Sequence, residues 1–396
     1  MRIALIADAF PPMRSSGAVQ LRDLAQEFRR QGHLPTVLVP SSEIDQPWLR
    51  EEVNSVEVVR LKAPRTKDVG YVRRTVGEFV MPFAMLRNLQ KSPLTHERWD
   101  GVVWYSPTIF LGPIANALKK ASACRSYLII RDIFPEWAVD MGLLGRGLPY
   151  RFLKAIERYQ YSVANVIGVQ TPANLRYFDA WSSKPGRRLE VLQNWLADAP
   201  IAKCSISVAD SRLAGRTIFV YAGNMGVAQG MNILICLADR LRGRSDIGFI
   251  FVGRGSDAQR LREDARTRGL DNVVFHDEID SSEIAGLYAQ CHVGVVALDP
   301  RHTTHNIPGK FLSYMQSGLP VLASINRGND LVEMIEREGV GRVSTDHSVE
   351  SLQRLAEILL DEIRDDEGIA ARCRALSARL FSPETAARQI VAALKN

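Results

Sequence analysis

The sequence predicts an α/β protein made of two doubly wound parallel-sheet domains that face each other and hold ligands at the carboxyl ends of both sheets. Three observations lead there. The chain has 396 residues, more than one ordinary core organises, and domains of roughly 150–200 residues suggest two. Short apolar runs alternate with helical segments throughout, as parallel strands joined by crossover helices do. The alternation lapses once, over Asp198–Arg216 (DAPIAKCSISVADSRLAGR), where no strong period holds and Pro200 and Gly215 occur, and then restarts. The expected domains are residues 1–197 and 198–382, with a final amphipathic helix, Pro383–Leu394 within 383–396, packing back on the first.

Ile3–Ala7 is the first strand: Met1–Phe10 (MRIALIADAF) is interrupted by Asp8 and so reads as a strand rather than a signal peptide. A helix from about Ala18 to Arg30 ends at Gly32, a residue suited to a left-handed cap. Further strands are expected at Thr36–Val39, Val56–Leu61, Gly101–Tyr105, Tyr127–Ile130 and Val166–Val169. A helix at about Pro149–Ser162 places Phe152, Ile156 and Tyr159 on one stripe. In the second half, Thr217–Ala222 is a strand ending in Gly223 and Met231–Leu241 a helix. Gly248–Val252 is a strand ending in Gly253-Arg254-Gly255, and Val273–His276 is another. The most informative stretch is His292–Ser324. It reads as a buried strand (Val293–Leu298), a polar loop, a helix entered through Ile307-Pro308-Gly309-Lys310, a stop at Gly318-Leu319-Pro320 and a strand at Val321–Ala323.

Apolar residues make up 46% and charged residues 24%, ordinary for a globular protein. No apolar run approaches the ~18–20 residues that span a bilayer. The five cysteines are scattered without metal-ligand spacing, which reads as reduced thiols in a cytoplasmic protein. Charge is uneven: residues 1–198 hold 27 Lys/Arg against 19 Asp/Glu, and the rest 23 against 25. Residues 60–91 carry eight basic side chains (Arg60, Lys62, Arg65, Lys67, Arg73, Arg74, Arg87, Lys91) against Asp68 and Glu78, among Tyr71, Phe79 and Phe83. That segment reads either as an anchor on an anionic membrane surface or as a surface helix with one buried stripe and a solvated face. Pro82 is expected to break or kink it. Nucleic acid is not an expected partner, because it leaves the apolar residues without a role.

Five loops follow strands and are candidates for the site. In Asp8–Gly17 (DAFPPMRSSG), Ser16 and Gly17 offer small residues and free N–H groups to a phosphate or sugar, or simply form a capped turn. The loop lacks the G-x-G-x-x-G fingerprint, which argues against a nicotinamide dinucleotide. In Arg131-Asp132-Ile133-Phe134-Pro135-Glu136-Trp137, Asp132 and Glu136 either orient a sugar hydroxyl or act as a base, or Asp132 pairs with Arg131 or caps a helix. The third loop, Gly223–Gly230, brings Asn224, Gly226 and Gln229 near a phosphate. In the fourth, Arg254 either clamps a phosphate or lies solvated in a turn. The fifth contains His305, Asn306, Lys310 and Ser313. Pro308 and Gly309 open a helix whose free N–H groups, with the Lys310 ammonium, suit a diphosphate. His302 and His305 lack a third ligand, so a metal-free site is expected.

These loops together resemble the GT-B glycosyltransferases of family 4 along essentially the whole chain. The carrying residues are Phe10-Pro11-Pro12 with Gly17, Gly32-His33, Arg131–Glu136, Gln193-Asn194, Tyr221–Gly226, Val252–Gly255, and Ile307–Lys310 through Gly318–Val321. Within the family the chain is most similar to bacterial enzymes that build O-antigen or capsule repeat units by moving an acetylated amino sugar such as N-acetyl-fucosamine. The resemblance implies retaining transfer from a UDP-sugar, with no cofactor and no obligatory metal. The acceptor it implies is a lipid-diphosphate-linked saccharide, met at the inner face of the cytoplasmic membrane by a peripherally bound enzyme. The first domain would take the acceptor and the second the nucleotide sugar. Where many relatives carry two glutamates in the fifth loop, this chain has His305 and Ser313. Where they carry an arginine–lysine pair in the third, it has Asn224 and Gln229, which shifts charge neutralisation to Lys310 and Arg254. Two other readings stand beside this one: a sugar-nucleotide epimerase or hydrolase of the same architecture, and a non-catalytic sugar-nucleotide-binding protein.

Overall fold

The structure, a computed structural model, describes residues 1–13, 15–67, 69–198, 203–301 and 307–395. It divides into two compact units, Met1–Ala197 with Pro383–Asn396, and Asp198–Ser382.

The first unit is built on an eight-stranded sheet of β1 (Arg2–Ile6), β2 (Leu34–Ser41), β3 (Trp48–Val53), β4 (Val56–Lys62), β5 (Gly101–Ser106), β6 (Arg125–Ile130), β7 (Val166–Val169) and β8 (Arg188–Val191), in the order β3-β4-β2-β1-β5-β6-β7-β8. Only β3 runs antiparallel, paired with β4 through a turn at Asn54 and Ser55, both at positive φ as a tight hairpin requires. The chain builds outward in both directions from β1 and β5, so the connections diverge between those strands and leave a crevice at their carboxyl ends. Alternation along β1 supplies two cores. Ala4 and Ile6 pack with Trp104, Leu128, Met81 and Met85, while Ile3 and Leu5 pack with Leu24, Phe28, Ile390 and Leu394. The helix Pro383–Lys395 thus completes the second core, and Leu394 fills the space beside Gly101 where a Cβ would intrude.

The helix Tyr71–Leu89 continues through Pro82, so of the break or kink expected there the break does not occur. Proline forfeits one N–H and crowds one carbonyl, whereas the face carrying Gly77, Met81, Pro82, Met85 and Leu89 is buried and holds the helix down. The stripe on the helix Leu148–Val163 also differs from a core-facing one. Phe152 and Tyr159 are exposed, and Glu157, Gln160, Tyr161 and Val163 are the buried residues.

The second unit is an all-parallel sheet of β9 (Thr217–Ala222), β10 (Ile247–Val252), β11 (Val273–His276), β12 (Val293–Ala297), β13 (Val321–Ser324) and β14 (Gly341–Ser344), ordered β11-β10-β9-β12-β13-β14. This is the doubly wound order in which ligands bind where the strand sequence reverses, here between β9 and β12. The two strands pair only at Val293↔Phe219 and Gly294↔Val220. Further along, the Tyr314 hydroxyl lies between them, 3.0 Å from the Val220 carbonyl and 3.3 Å from that of Val295. Gly294 is required there, because any Cβ would strike the Tyr314 ring. A tyrosine side chain therefore wedges the sheet apart at the switch point.

Candidate active site

Three loops of the second unit converge at that wedge. The helix Gly309–Ser317 starts at Pro308 with no side chain capping its first turn, and ends in left-handed Gly318. Its second residue, Lys310, projects over the Tyr221 ring with Nζ 4.5 Å from the centroid. The same side chain lies against Gly223, whose absent Cβ would sit 3.8 Å from Lys310 Cε. Lys310 keeps part of its surface, yet its ammonium lies deep among protein atoms, and that desolvation pushes its pKa down to about 8. No carboxylate pairs with it among the described residues. An uncompensated ammonium at an uncapped helix start is a charge arrangement that an anion completes.

The glycines of the third and fourth loops let two strand ends run side by side. Gly223 N–H donates to the Val252 carbonyl at 2.9 Å and Met225 N–H to that of Arg254 at 2.8 Å. Gly253 has φ +139°, and a Cβ on it would collide with the Gly223 carbonyl oxygen. Gly253→Ala is therefore expected to destabilise the protein by about 2–4 kcal/mol, through strain plus collision. A urea-melt difference below about 0.5 kcal/mol would show instead that the loop yields.

Asn224, Gly226 and Gln229 form one closed turn. The Gln229 Oε1 accepts from Asn224 Nδ2 and from Gly226 N–H, both at 3.0 Å, and the Tyr221 hydroxyl donates to the Asn224 carbonyl at 2.5 Å. The amide side chains thus shape the loop rather than standing free as donors. Ser313 bonds back to the Gly309 carbonyl of its own helix at 3.4 Å. Arg254 is 80% exposed and paired with Glu278 at 2.9 Å, an ion pair weak enough to exchange for another anion. His305, with His302 and Asn306, lies outside the described residues. Among the described residues, no group of three or more His, Cys, Asp or Glu is arranged to hold a metal ion.

In the first unit the carboxyl ends of β1, β5 and β6 bring together Asp8, Tyr105, Arg131 and Asp132, and the charges of Arg131 and Asp8 act on Asp132. Asp132 has an exposed surface, yet its carboxyl lies among enough protein to be desolvated. Desolvation pushes its pKa up to about 6, with Arg131 opposing and Asp8 adding to the rise. Among the described residues nothing hydrogen-bonds or ion-pairs its carboxylate. Ser15 caps the helix Ser16–Arg30 by accepting from Ala18 N–H at 3.3 Å, leaving Ser16 exposed at its tip. Gly17 sits where a Cβ would come 3.2 Å from the Tyr105 ring.

Two residues expected at the substrate have other work. Arg131 is buried, its guanidinium 4.7 Å from the Trp195 ring centre and donating to the Leu192 carbonyl at 2.9 Å. It fastens the segment after β8 and lends its charge to Asp132; being buried, it does not present a face to a ligand. Glu136 accepts from Lys154 Nζ at 2.6 Å and from the Tyr150 hydroxyl at 3.2 Å, so its carboxylate ties its loop to the helix Leu148–Val163. The sequence assigns no site role to Asp8, Tyr221 or Tyr314, although Asp8 opens the first candidate loop and Tyr221 the matched third-loop motif. The two tyrosines lie in apolar stretches indistinguishable from core, while Asp8, the polar residue that interrupts the first strand run, was a usable signal.

Residues 17–195 match the family model described as "Glycosyl transferase 4-like domain", and residues 216–362 match "Glycosyl transferases group 1". Among curated proteins, the chain is 26% identical over 377 residues to "Probable glycosyltransferase WbjE" of Pseudomonas aeruginosa, spanning 91% of this chain and 89% of that one. It is 28% identical over 200 residues to "Putative colanic acid biosynthesis glycosyl transferase WcaI" of Escherichia coli K12, which covers 46% of this chain and 47% of that relative. Among solved structures, HepE (Alr3699) of Anabaena in complex with UDP superimposes with a TM-score of 0.69, covering 100% of both chains at 17% identity, a likeness of fold.

Proposed function

We propose that this chain, which belongs to the family 4 glycosyltransferases and has their GT-B fold of two parallel-sheet α/β domains, moves a sugar from a UDP-sugar to a lipid-diphosphate-linked saccharide in bacterial surface-polysaccharide synthesis. The observation that carries the donor half is the Lys310 ammonium, unpaired among the described residues, over Tyr221 and against Gly223 at an uncapped helix start. HepE's complex with UDP, in the same fold, supports a uridine diphosphate as the partner of that charge. The name of WcaI, a colanic acid glycosyltransferase, supports a polysaccharide pathway. The moving sugar in this reading is an N-acetylated amino sugar.

The chemistry follows from charge. The acceptor hydroxyl attacks the face from which the diphosphate departs, and a donor phosphate oxygen receives its proton, so the anomeric configuration is retained. Negative charge builds on the leaving diphosphate, and Lys310 with the helix N-terminus neutralises it without a metal. Asp132 orients the acceptor hydroxyl, and Arg131 and Glu136 hold the loop that carries it. The enzyme meets its acceptor at the inner face of the cytoplasmic membrane through the cationic segment 60–91. No described helix is long and apolar enough to cross a membrane.

Thermal-shift screening against a panel of nucleotide sugars, followed by transfer assays with lipid-linked acceptors, tests this reading. Stabilisation by UDP-sugars and an acceptor-dependent product are expected. Product without acceptor would point to an epimerase or hydrolase, and donor binding with no turnover on any acceptor to a binding protein. For the membrane, Arg73→Glu with Arg74→Glu is expected to move the protein from the floating to the soluble fraction with anionic liposomes. Equal flotation of wild type and variant would remove the segment from membrane binding.

A further inference from the structure

Two helices of the first unit turn apolar faces outward, where helices facing solvent are ordinarily polar. On Tyr71–Leu89, opposite the buried Met81 and Met85, Val72 is 80% exposed and Phe83 51%. On Leu148–Val163, Leu148 is 78% exposed and Phe152 48%. Phe79 joins the helices, its ring centre 6.0 Å from both Phe83 and Phe152. Between them runs a groove of about 340 Å³ lined by Phe79, Phe83, Phe110, Phe152, Ile156 and Tyr159, with Ala155 also on its wall. Contiguous exposed apolar surface of this kind marks a binding site.

The charge around the groove specifies what fits it. Arg73, Arg87, Arg151 and Arg158 lie on the same two helices, and none has an ion pair among the described residues. The carboxylates of those helices are occupied: Glu78 pairs with Arg74 at 2.9 Å, and Glu157 with Lys154 at 2.7 Å. An apolar trough between two helices that carry unpaired arginines suits an anionic amphiphile. The second helix is also fastened to the loop that carries Asp132, and the segment ahead of the first reaches Asp8. Lys67, just ahead of the first, lies 3.7 Å from Asp8, and Tyr150 and Lys154 of the second hold Glu136.

We propose that this groove binds the hydrocarbon chain of the lipid-linked acceptor, an inference that rests on the transferase reading above. A bilayer surface is flat and engages protruding residues, a part that Tyr71, Val72 and Leu148 can play at the rim. A concave apolar floor needs a chain to fill it. With the chain there, the arginines neutralise the lipid phosphate, and the attached saccharide extends toward Asp132.

The test uses the full chain with farnesyl phosphate and inorganic phosphate as calorimetric probes, and vesicles of phosphatidylethanolamine and phosphatidylglycerol for flotation. Wild type is expected to bind farnesyl phosphate at least about tenfold more tightly than inorganic phosphate, since a few buried methylenes suffice for that ratio. Ala155→Trp fills the groove while keeping its surface apolar. It is expected to lose that preference and still float. Phe152→Asp is expected to lose both. Undiminished farnesyl phosphate binding by Ala155→Trp, or no preference in wild type, overturns the chain site. UDP titrated into each protein separates the failures: farnesyl phosphate failing while UDP binds sinks this inference alone, whereas wild type that ignores UDP sinks the transferase reading.

Discussion

Lys310→Ala is expected to lower kcat by roughly 10²–10³-fold, the typical cost of removing one group that meets charge developing in a transition state. The ammonium lies over Tyr221 and against Gly223, at a helix start that no side chain caps. Because its pKa is depressed by desolvation, the folded protein holds the charge at some cost. Below about pH 8 the folded state binds a proton that the unfolded state binds more tightly. Stability should therefore rise with pH from about 8 toward the ordinary lysine range, by linkage. Lys310→Met is expected to lose that rise and to be no less stable than wild type in urea. A variant with unchanged kcat at saturating donor would remove Lys310 from the reaction.

Asp132→Asn is expected to lower turnover by roughly 10²-fold, the order lost when a reacting hydroxyl is no longer held in position. The pH profile carries the sharper signature. A carboxyl raised to about 6 is ionised only above that pH, so kcat/KM of the wild type should fall as pH drops through about 6. It should also fall as pH rises through about 8, where Lys310 loses its proton. Asn at position 132 is expected to abolish the acidic limb and leave the basic one. An acidic limb that persists in the variant would assign that ionisation elsewhere.

The two-sheet architecture and the Lys310 loop were legible because their signals are local. A strand ending in polar residues, then Pro308-Gly309-Lys310 and a stop at Gly318, reads the same in sequence and in structure. Packing decisions were not legible. Phe152, Ile156 and Tyr159 fall on one stripe by period, but period does not tell whether a stripe is covered, and here it is open. Arg131 was recognisable as part of the loop, yet only its neighbours, Trp195 and the Leu192 carbonyl, make it a buried clamp. The β3 edge strand, WLREEV, went unseen because a half-buried edge lacks the apolar run that marks a central strand. Tyr314 was hidden for the opposite reason, being a polar hydroxyl at the end of a side chain that reads as core.

The central claim is that the Lys310 ammonium meets the donor's diphosphate. Calorimetric titration of UDP at about pH 8, in buffers of different ionisation heat, measures it directly through the protons taken up on binding. A lysine half ionised in the free protein and fully ionised against a diphosphate should take up about half a proton per UDP bound. Lys310→Ala should bind more weakly and take up none. Equal proton uptake by wild type and variant, or tight UDP binding with no uptake in either, would contradict the account.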